Sequence, residues 1–259
     1  MRRTHHKFED AKQAVWKLIQ DIAGYAILSH TWLTDESDIV YEDTLLSEWH
    51  QSETLHGSKT AGLEKVEQFC KVARESYNVN YGWLDSICIN QGSTSELDES
   101  IRSMYRWYRD STICIIHLAE TKATPLLDGM ENDRWFTRGW TLQEFLAPAR
   151  IKFHDQNWTP FDPDVDNDKF PNMKAHVPTP IQKKIEQATG IQPSTAHHGS
   201  TMDIEGGHII QKMRWAAKRE TTRAEDRAYS LMGVFGVSIS IAYGEGAERA
   251  FFRLIEAVL

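Results

Sequence analysis

The run Thr112-Ile113-Cys114-Ile115-Ile116-His117-Leu118 constrains this chain most. Its apolar side chains leave no polar face, and such a strand is buried on both sides, as in a parallel sheet covered by helices. Neighbouring segments extend the pattern. Tyr25-Ala26-Ile27-Leu28-Ser29 is a second short apolar run, after which Leu63, Val66, Phe69, Cys70, Ala73 and Tyr77 recur with the helical period. Tyr81 to Asp85, continued by Ile87 and Ile89, reads as another strand, and Ile101, Met104, Tyr105 and Tyr108 mark another helix. A short helix from Trp140 to Leu146 then leads into a fourth strand, Ile151-Lys152-Phe153. The order β-α-β-α-β-α-β predicts an α/β fold with a doubly wound parallel sheet flanked by helices.

Beyond Trp158 the pattern changes. Residues 162–180 are rich in Pro, Asp and Asn, and residues 195–207 in Gly, His, Ser and Thr, so both read as loops. Helices are expected over Ile181 to Thr189, Ile209 to Lys218, Arg223 to Val234 and Ala247 to Leu259. Thr222-Arg223-Ala224-Glu225 has the pattern of a capping box, and Phe251, Leu254, Ile255 and Val258 form one stripe on the last helix. The chain thus divides into an N-terminal helical extension (1–24), an α/β sheet domain (25–160) and a C-terminal helical appendage (161–259).

Composition excludes several classes of partner. With 29 Lys and Arg against 37 Asp and Glu, the net charge of -8 repels a phosphate backbone, so nucleic acid is not an expected partner. No stretch approaches the roughly 18 apolar residues of a membrane span, and Met1 to His6 leads into a polar, helical stretch, Phe8 to Ile22, instead of a signal sequence. The odd, widely spaced cysteines Cys70, Cys88 and Cys114 read as reduced thiols, which makes the cytoplasm the expected compartment. Gly57-Ser58-Lys59-Thr60 lacks the order of a phosphate-binding loop, and Gly244-Glu245-Gly246 lacks the third glycine of a dinucleotide fingerprint. His5-His6 and His197-His198 lack the spacing of a zinc site, so neither a metal nor a resident cofactor is expected.

In an open parallel sheet, ligands bind beyond the carboxyl ends of the strands. Ser29-His30-Thr31-Trp32 leaves the first strand there, and Asp85-Ser86-Ile87-Cys88-Ile89-Asn90-Gln91 leaves the second. Arg138-Gly139-Trp140-Thr141-Leu142-Gln143-Glu144-Phe145 opens the helix after the third. At about 100° per residue, Leu142, Phe145 and Leu146 share one face, while Trp140, Gln143 and Glu144 turn to the other, with the helix starting near Thr137. Structural readings stand beside these. Glu144 also fits a capping box with Thr141 or a solvated acid, and Trp140 fits a core anchor. Arg138 fits an ion-pair partner, Asp85 a turn cap and Cys88 a packed thiol. Asn90 and Gln91 fit backbone-satisfying amides, and His30 a structural histidine.

The segments at 25–32, 83–91 and 138–144 resemble the three signature blocks of the fungal HET (heterokaryon incompatibility) domain. Trp215 to Gly233 and Tyr243 to Gly246 resemble that family's C-terminal blocks; Leu33 stands where the first block usually continues with glycine. The resemblance implies a role in self/non-self recognition that triggers cell death, with self-association and an incompatibility or NLR-type partner protein. HET domains have been considered distant relatives of TIR domains, which implies a flavodoxin-like (TIR-like) sheet and, for several TIR domains, hydrolysis of NAD. NAD-cleaving TIR domains carry their catalytic Glu in a Trp-Cys-x-x-Glu-like block, and Trp140-Thr141-Leu142-Gln143-Glu144 has the same Trp-to-Glu spacing. The resemblance therefore implies Glu144 as the catalytic residue and NAD or a related nucleotide as substrate. Ser29, His30, Trp32, Asp85, Cys88, Asn90, Gln91, Arg138, Trp140 and Gln143 are the substrate-binding candidates around it. A non-catalytic homotypic interaction module in death signalling is the alternative, and a nucleosidase acting on another nucleotide a weaker one.

Overall fold

The structure, a computed structural model, describes residues 22–33, 37–46, 48–123, 127, 129–169, 178–192 and 206–259. The expected N-terminal helix lies outside these residues apart from its end at Ile22, as do both histidine pairs. Among the described residues, strands β1 (Tyr25–Ser29), β2 (Tyr81–Trp83), β3 (Ile113–His117) and β4 (Ile151–His154) form one parallel sheet in the order β2-β1-β3-β4. Helix α1 (Thr60–Tyr77) joins β1 to β2, α2 (Thr94–Asp110) joins β2 to β3, and α3 (Thr141–Leu146) precedes β4.

Alternation along the strands sorts the apolar run onto two faces. Ala26, Leu28, Ile113 and Ile115 pack with Leu63, Val66, Phe69 and Ala73 of α1. Ile27, Cys114, Ile116, Ile151 and Phe153 face the other way, towards Ile101, Met104 and Tyr108 of α2 and Leu142 and Phe145 of α3. Burial on both faces explains why β3 carries no polar alternation: all five of its residues are buried. The register aligns Ser29 with Ile116 and Ile116 with Phe153, bringing the carboxyl ends of three strands to one level.

The C-terminal helices share this second core. After α4 (Pro180–Thr189) and α5 (Gly206–Ala216), Tyr229, Leu231, Met232, Ala250 and Leu254 are buried in the same cluster as Ile27 and Phe153. The fourth expected helix becomes α6 (Ala247–Val258), whose buried positions are Ala250 and Leu254. Phe251 and Phe252 point outward at 39% and 63% exposure, so Phe251 leaves the expected stripe, while Leu254 and Val258 keep to the core.

Other expectations give way. Strand β2 stops at Trp83 because the chain turns helically over Asp85–Cys88, with the Cys88 amide donating to Leu84 O at 2.9 Å. The helix expected over Arg223 to Val234 breaks into single turns, Asp226–Tyr229 and Met232–Phe235. The predicted capping box before it does not form. Glu225 itself precedes the first turn, and its carboxylate accepts the Gly244 and Gly246 amides at 2.9 and 3.0 Å. Helix α3 starts at Thr141, not near Thr137, and all six of its residues are buried. It is covered by α2 on one side and by the Met232–Phe235 turn on another, so no solvated face remains.

Gly233 permits the close approach of that turn to α2: a Cβ there would lie 2.1 Å from Tyr105 Cβ. Gly233→Ala is expected to lower stability by about 1–3 kcal/mol. In urea unfolding the chain should still lose its structure in one transition, since sheet and C-terminal helices share a core. A separate early transition of the C-terminal half would contradict that.

Candidate active site

A cleft of about 620 Å³ opens at the carboxyl ends of the strands, where the strand order reverses between β1 and β3. His30 and Trp32 enter it from the end of β1, and Asp85 and Gln91 from the segment after β2. Arg138, Gly139, Trp140 and Glu144 form the wall at the start of α3. The C-terminal part adds Arg223, Asp226 and Tyr243 to the lining, while Ile89, Leu97, Ile101 and Met104 make the apolar part.

Glu144 faces the cleft yet is only 4% exposed. The Ser29 hydroxyl donates to its Oε2 at 2.5 Å, and Trp135 Nε1 donates to Ser29 Oγ at 2.7 Å. The indole N–H occupies an acceptor position of the serine and so directs the hydroxyl proton at the carboxyl group. Thr141 makes no capping box with Glu144; its hydroxyl lies 2.6 Å from Trp135 O and 2.9 Å from Arg138 O, which share its one proton. Glu144 is thus neither a helix cap nor a solvated acid. Burial, reinforced by the nearby Asp85 carboxylate, pushes its pKa up to about 8, with Ser29 and Arg138 opposing.

A second polar group lies between the ends of β1 and β2. Trp32 Nε1 donates to Asp85 Oδ2 at 2.8 Å, and His30 Nε2 stands 3.8 Å from Asp85 Oδ1. Burial, with Lys65, His117 and Arg138 nearby, holds the His30 pKa well below the ordinary value, leaving a neutral imidazole. Burial raises the Asp85 carboxyl, against the Trp32 hydrogen bond and the Lys65 charge.

The wall at Trp140 is built by distant chain. The Gly139 amide donates to Glu220 O and the Glu220 amide to Thr137 O, both at 2.7 Å. Arg219 Nη1 donates to Arg138 O at 2.8 Å and to Thr141 Oγ1 at 2.7 Å. Trp140 Nε1 donates to Asp226 Oδ2 at 3.1 Å, the Tyr243 hydroxyl to Asp226 Oδ1 at 2.9 Å, and the Arg223 guanidinium sits 4.0 Å above the Tyr243 ring. Trp140 therefore packs partly on the core and also lines the cleft.

Of the residues singled out in the sequence, His30, Trp32, Asp85, Gln91, Arg138, Trp140 and Glu144 line this cleft. Ser29 lies fully buried beneath it, holding Glu144. Gln143 does not reach it: the side chain is 1% exposed, its Nε2 has no partner among the described residues, and α3 has no solvent face to present it on. Cys88 is exposed and does not line the cleft. Asn90 is used locally, its Oδ1 accepting the Gly92 amide at 3.0 Å. Trp135, Asp226, Tyr243 and Arg223 were missed. The last three lie in blocks whose similarity was visible but whose place at the cleft was not.

The sequence profile described as "Heterokaryon incompatibility protein (HET)" matches residues 25–132. The chain is 35% identical over 247 residues to "Vegetative incompatibility protein HET-E-1" of Podospora anserina, an alignment covering 92% of this chain. The chain belongs to the HET-domain family. It spans 16% of the length of that relative. No solved structure matches it. The HET profile ends before Arg138, whereas the alignment with the relative, over 92% of the chain, runs past the Arg138 to Glu144 block of this HET domain.

Glu144 couples the site to stability. The unfolded chain releases this proton near 4.5 and the folded chain only near 8, so the HET domain loses stability as pH rises between those values. Glu144→Gln keeps an acceptor for Ser29 and removes the charge. Its melting temperature is expected to gain several degrees on wild type between pH 5 and pH 9. A pH-independent difference would contradict a buried, titrating carboxyl.

Proposed function

We propose that this chain is the death-triggering part of a heterokaryon incompatibility protein and that it hydrolyses NAD to nicotinamide and ADP-ribose. The carrying observation is Glu144: a carboxyl group buried in the cleft, held by the Trp135–Ser29 relay, and without a cation bonded to it among the described residues. A ligand that brings its own positive charge suits such a group. Nicotinamide in NAD is a pyridinium, so it leaves the ribose neutral and needs no protonation, unlike the leaving group of an ordinary glycoside. As the C1–N bond breaks, its electron pair goes to the ring nitrogen and positive charge develops on the ribose. Ionised Glu144 stabilises that charge in a site with little water to screen it. Water then adds at C1 and releases a proton. Trp32 and Trp140 offer flat walls for stacking, and Arg138 and Arg223 offer positive charge for the pyrophosphate.

The relative's printed name, a vegetative incompatibility protein, supports the biological part of this reading. A second reading, a non-catalytic module acting by homotypic contact, is favoured by the outward Phe251 and Phe252 of α6. The two separate cleanly. Concentrated, assembled protein is expected to release nicotinamide from NAD, and Glu144→Gln to lower the rate at least about 100-fold while self-association persists. The kcat/KM profile should rise with pH to an apparent pKa near 8, because the ionised carboxyl is the active form. Absence of turnover in every assembly state, with cell death surviving Glu144→Gln and failing in Phe252→Glu, would favour the contact module.

A further inference from the structure

We propose that His30 and Asp85 form a subsite for one ring hydroxyl of the ribose whose glycosidic bond is cut. The inference rests on the NAD reading for the ligand's identity. Two atoms carry it: His30 Nε2 and Asp85 Oδ1 are both buried, and both lack a hydrogen-bond partner among the described residues. They belong to residues lining the cleft, and His30 is 5% exposed. Burying two such atoms without partners is costly, and native structures satisfy them where they can.

Their separation specifies the group that fits between them. At 3.8 Å the two atoms are too far apart to bond each other. One oxygen can nevertheless lie about 2.8 Å from each. That oxygen must donate to the carboxylate and accept from the Nε2–H tautomer, and a hydroxyl does both. Trp32 holds Asp85 Oδ2, which fixes the carboxylate so that Oδ1 faces His30. A phosphate oxygen is a poor fit, because it would meet the Asp85 charge without a proton to offer.

Position selects which hydroxyl. Asp85 and Glu144 line the same cleft, so both groups are placed against the same ring. Glu144 faces the developing charge, and the His30–Asp85 pair takes a hydroxyl at C2 or C3. A hydroxyl donating to a carboxylate beside an electron-deficient ring strengthens its bond as the charge develops, which makes the pair a transition-state contact as well as an anchor.

The test is calorimetric binding of ADP-ribose and its 2- and 3-deoxy analogues, altered in the terminal ribose, to the wild-type chain and to Asp85→Asn. ADP-ribose lacks nicotinamide, so contacts to the carboxamide cannot enter. One deoxy analogue is expected to bind roughly 10- to 100-fold more weakly than ADP-ribose. Asp85→Asn should bind ADP-ribose about as weakly as that and no longer distinguish the analogue. Equal wild-type affinity for all three ligands would overturn the subsite, as would full discrimination by Asp85→Asn. Nicotinamide release, followed in parallel, separates the two claims: release without discrimination overturns the subsite alone, whereas neither release nor binding of ADP-ribose overturns both.

Discussion

A carboxyl group placed where two strands end, out of contact with bulk water, sets the terms for its surroundings. Glu144 needs a donor, and Ser29 supplies it from the last residue of β1; Ser29 is in turn oriented by the Trp135 indole. Both supports come from parts of the chain that precede α3, so the short helix carrying Glu144 cannot shift along its axis without breaking the relay. The parallel register holds Ser29 level with Ile116 and Phe153, and the Trp135 ring packs edge-on against Phe153. Position of the carboxyl is therefore inherited from the sheet itself.

The other wall obeys a different logic. Backbone bonding between Thr137–Gly139 and Glu220 pins the approach to α3, and Gly139 leaves the room this requires, since a Cβ there would come within 2.4 Å of Thr221. Asp226 then binds Trp140 with one oxygen and Tyr243 with the other. Burial raises its carboxyl above the ordinary range, against those two hydrogen bonds. One acid thus ties an aromatic of the sheet domain and one of the C-terminal part to the same rim.

The sheet was legible because its signal is local and physical. An unbroken apolar run such as Thr112 to Leu118 has few other solutions, and the helical period of α1 and α2 fixes the layers that cover it. The cleft was legible as a position, since the loops leaving parallel strands gather at their carboxyl ends. The parts that escaped are set by distant packing. Six residues of α3 cannot reveal that the Met232–Phe235 turn lies over them, so Gln143 reads as a substrate-binding residue at the cleft and is buried. Trp135, in a 3-10 turn before the recognised block, gives no periodic sign that its N–H reaches Ser29. The Met232–Phe235 turn meets α2 where Gly233 approaches Tyr105, a contact across more than a hundred residues that no window of sequence contains.

Because the rim at Trp140 is completed by Arg219, Glu220, Asp226 and Tyr243, the cleft is assembled from chain that is synthesised long after Glu144. A nascent polypeptide that has emerged only through β4 owns the carboxyl and its relay but not the second wall. The ordering has a consequence: a ribosome-bound fragment, or one released by premature termination, carries an open groove in place of a completed cleft.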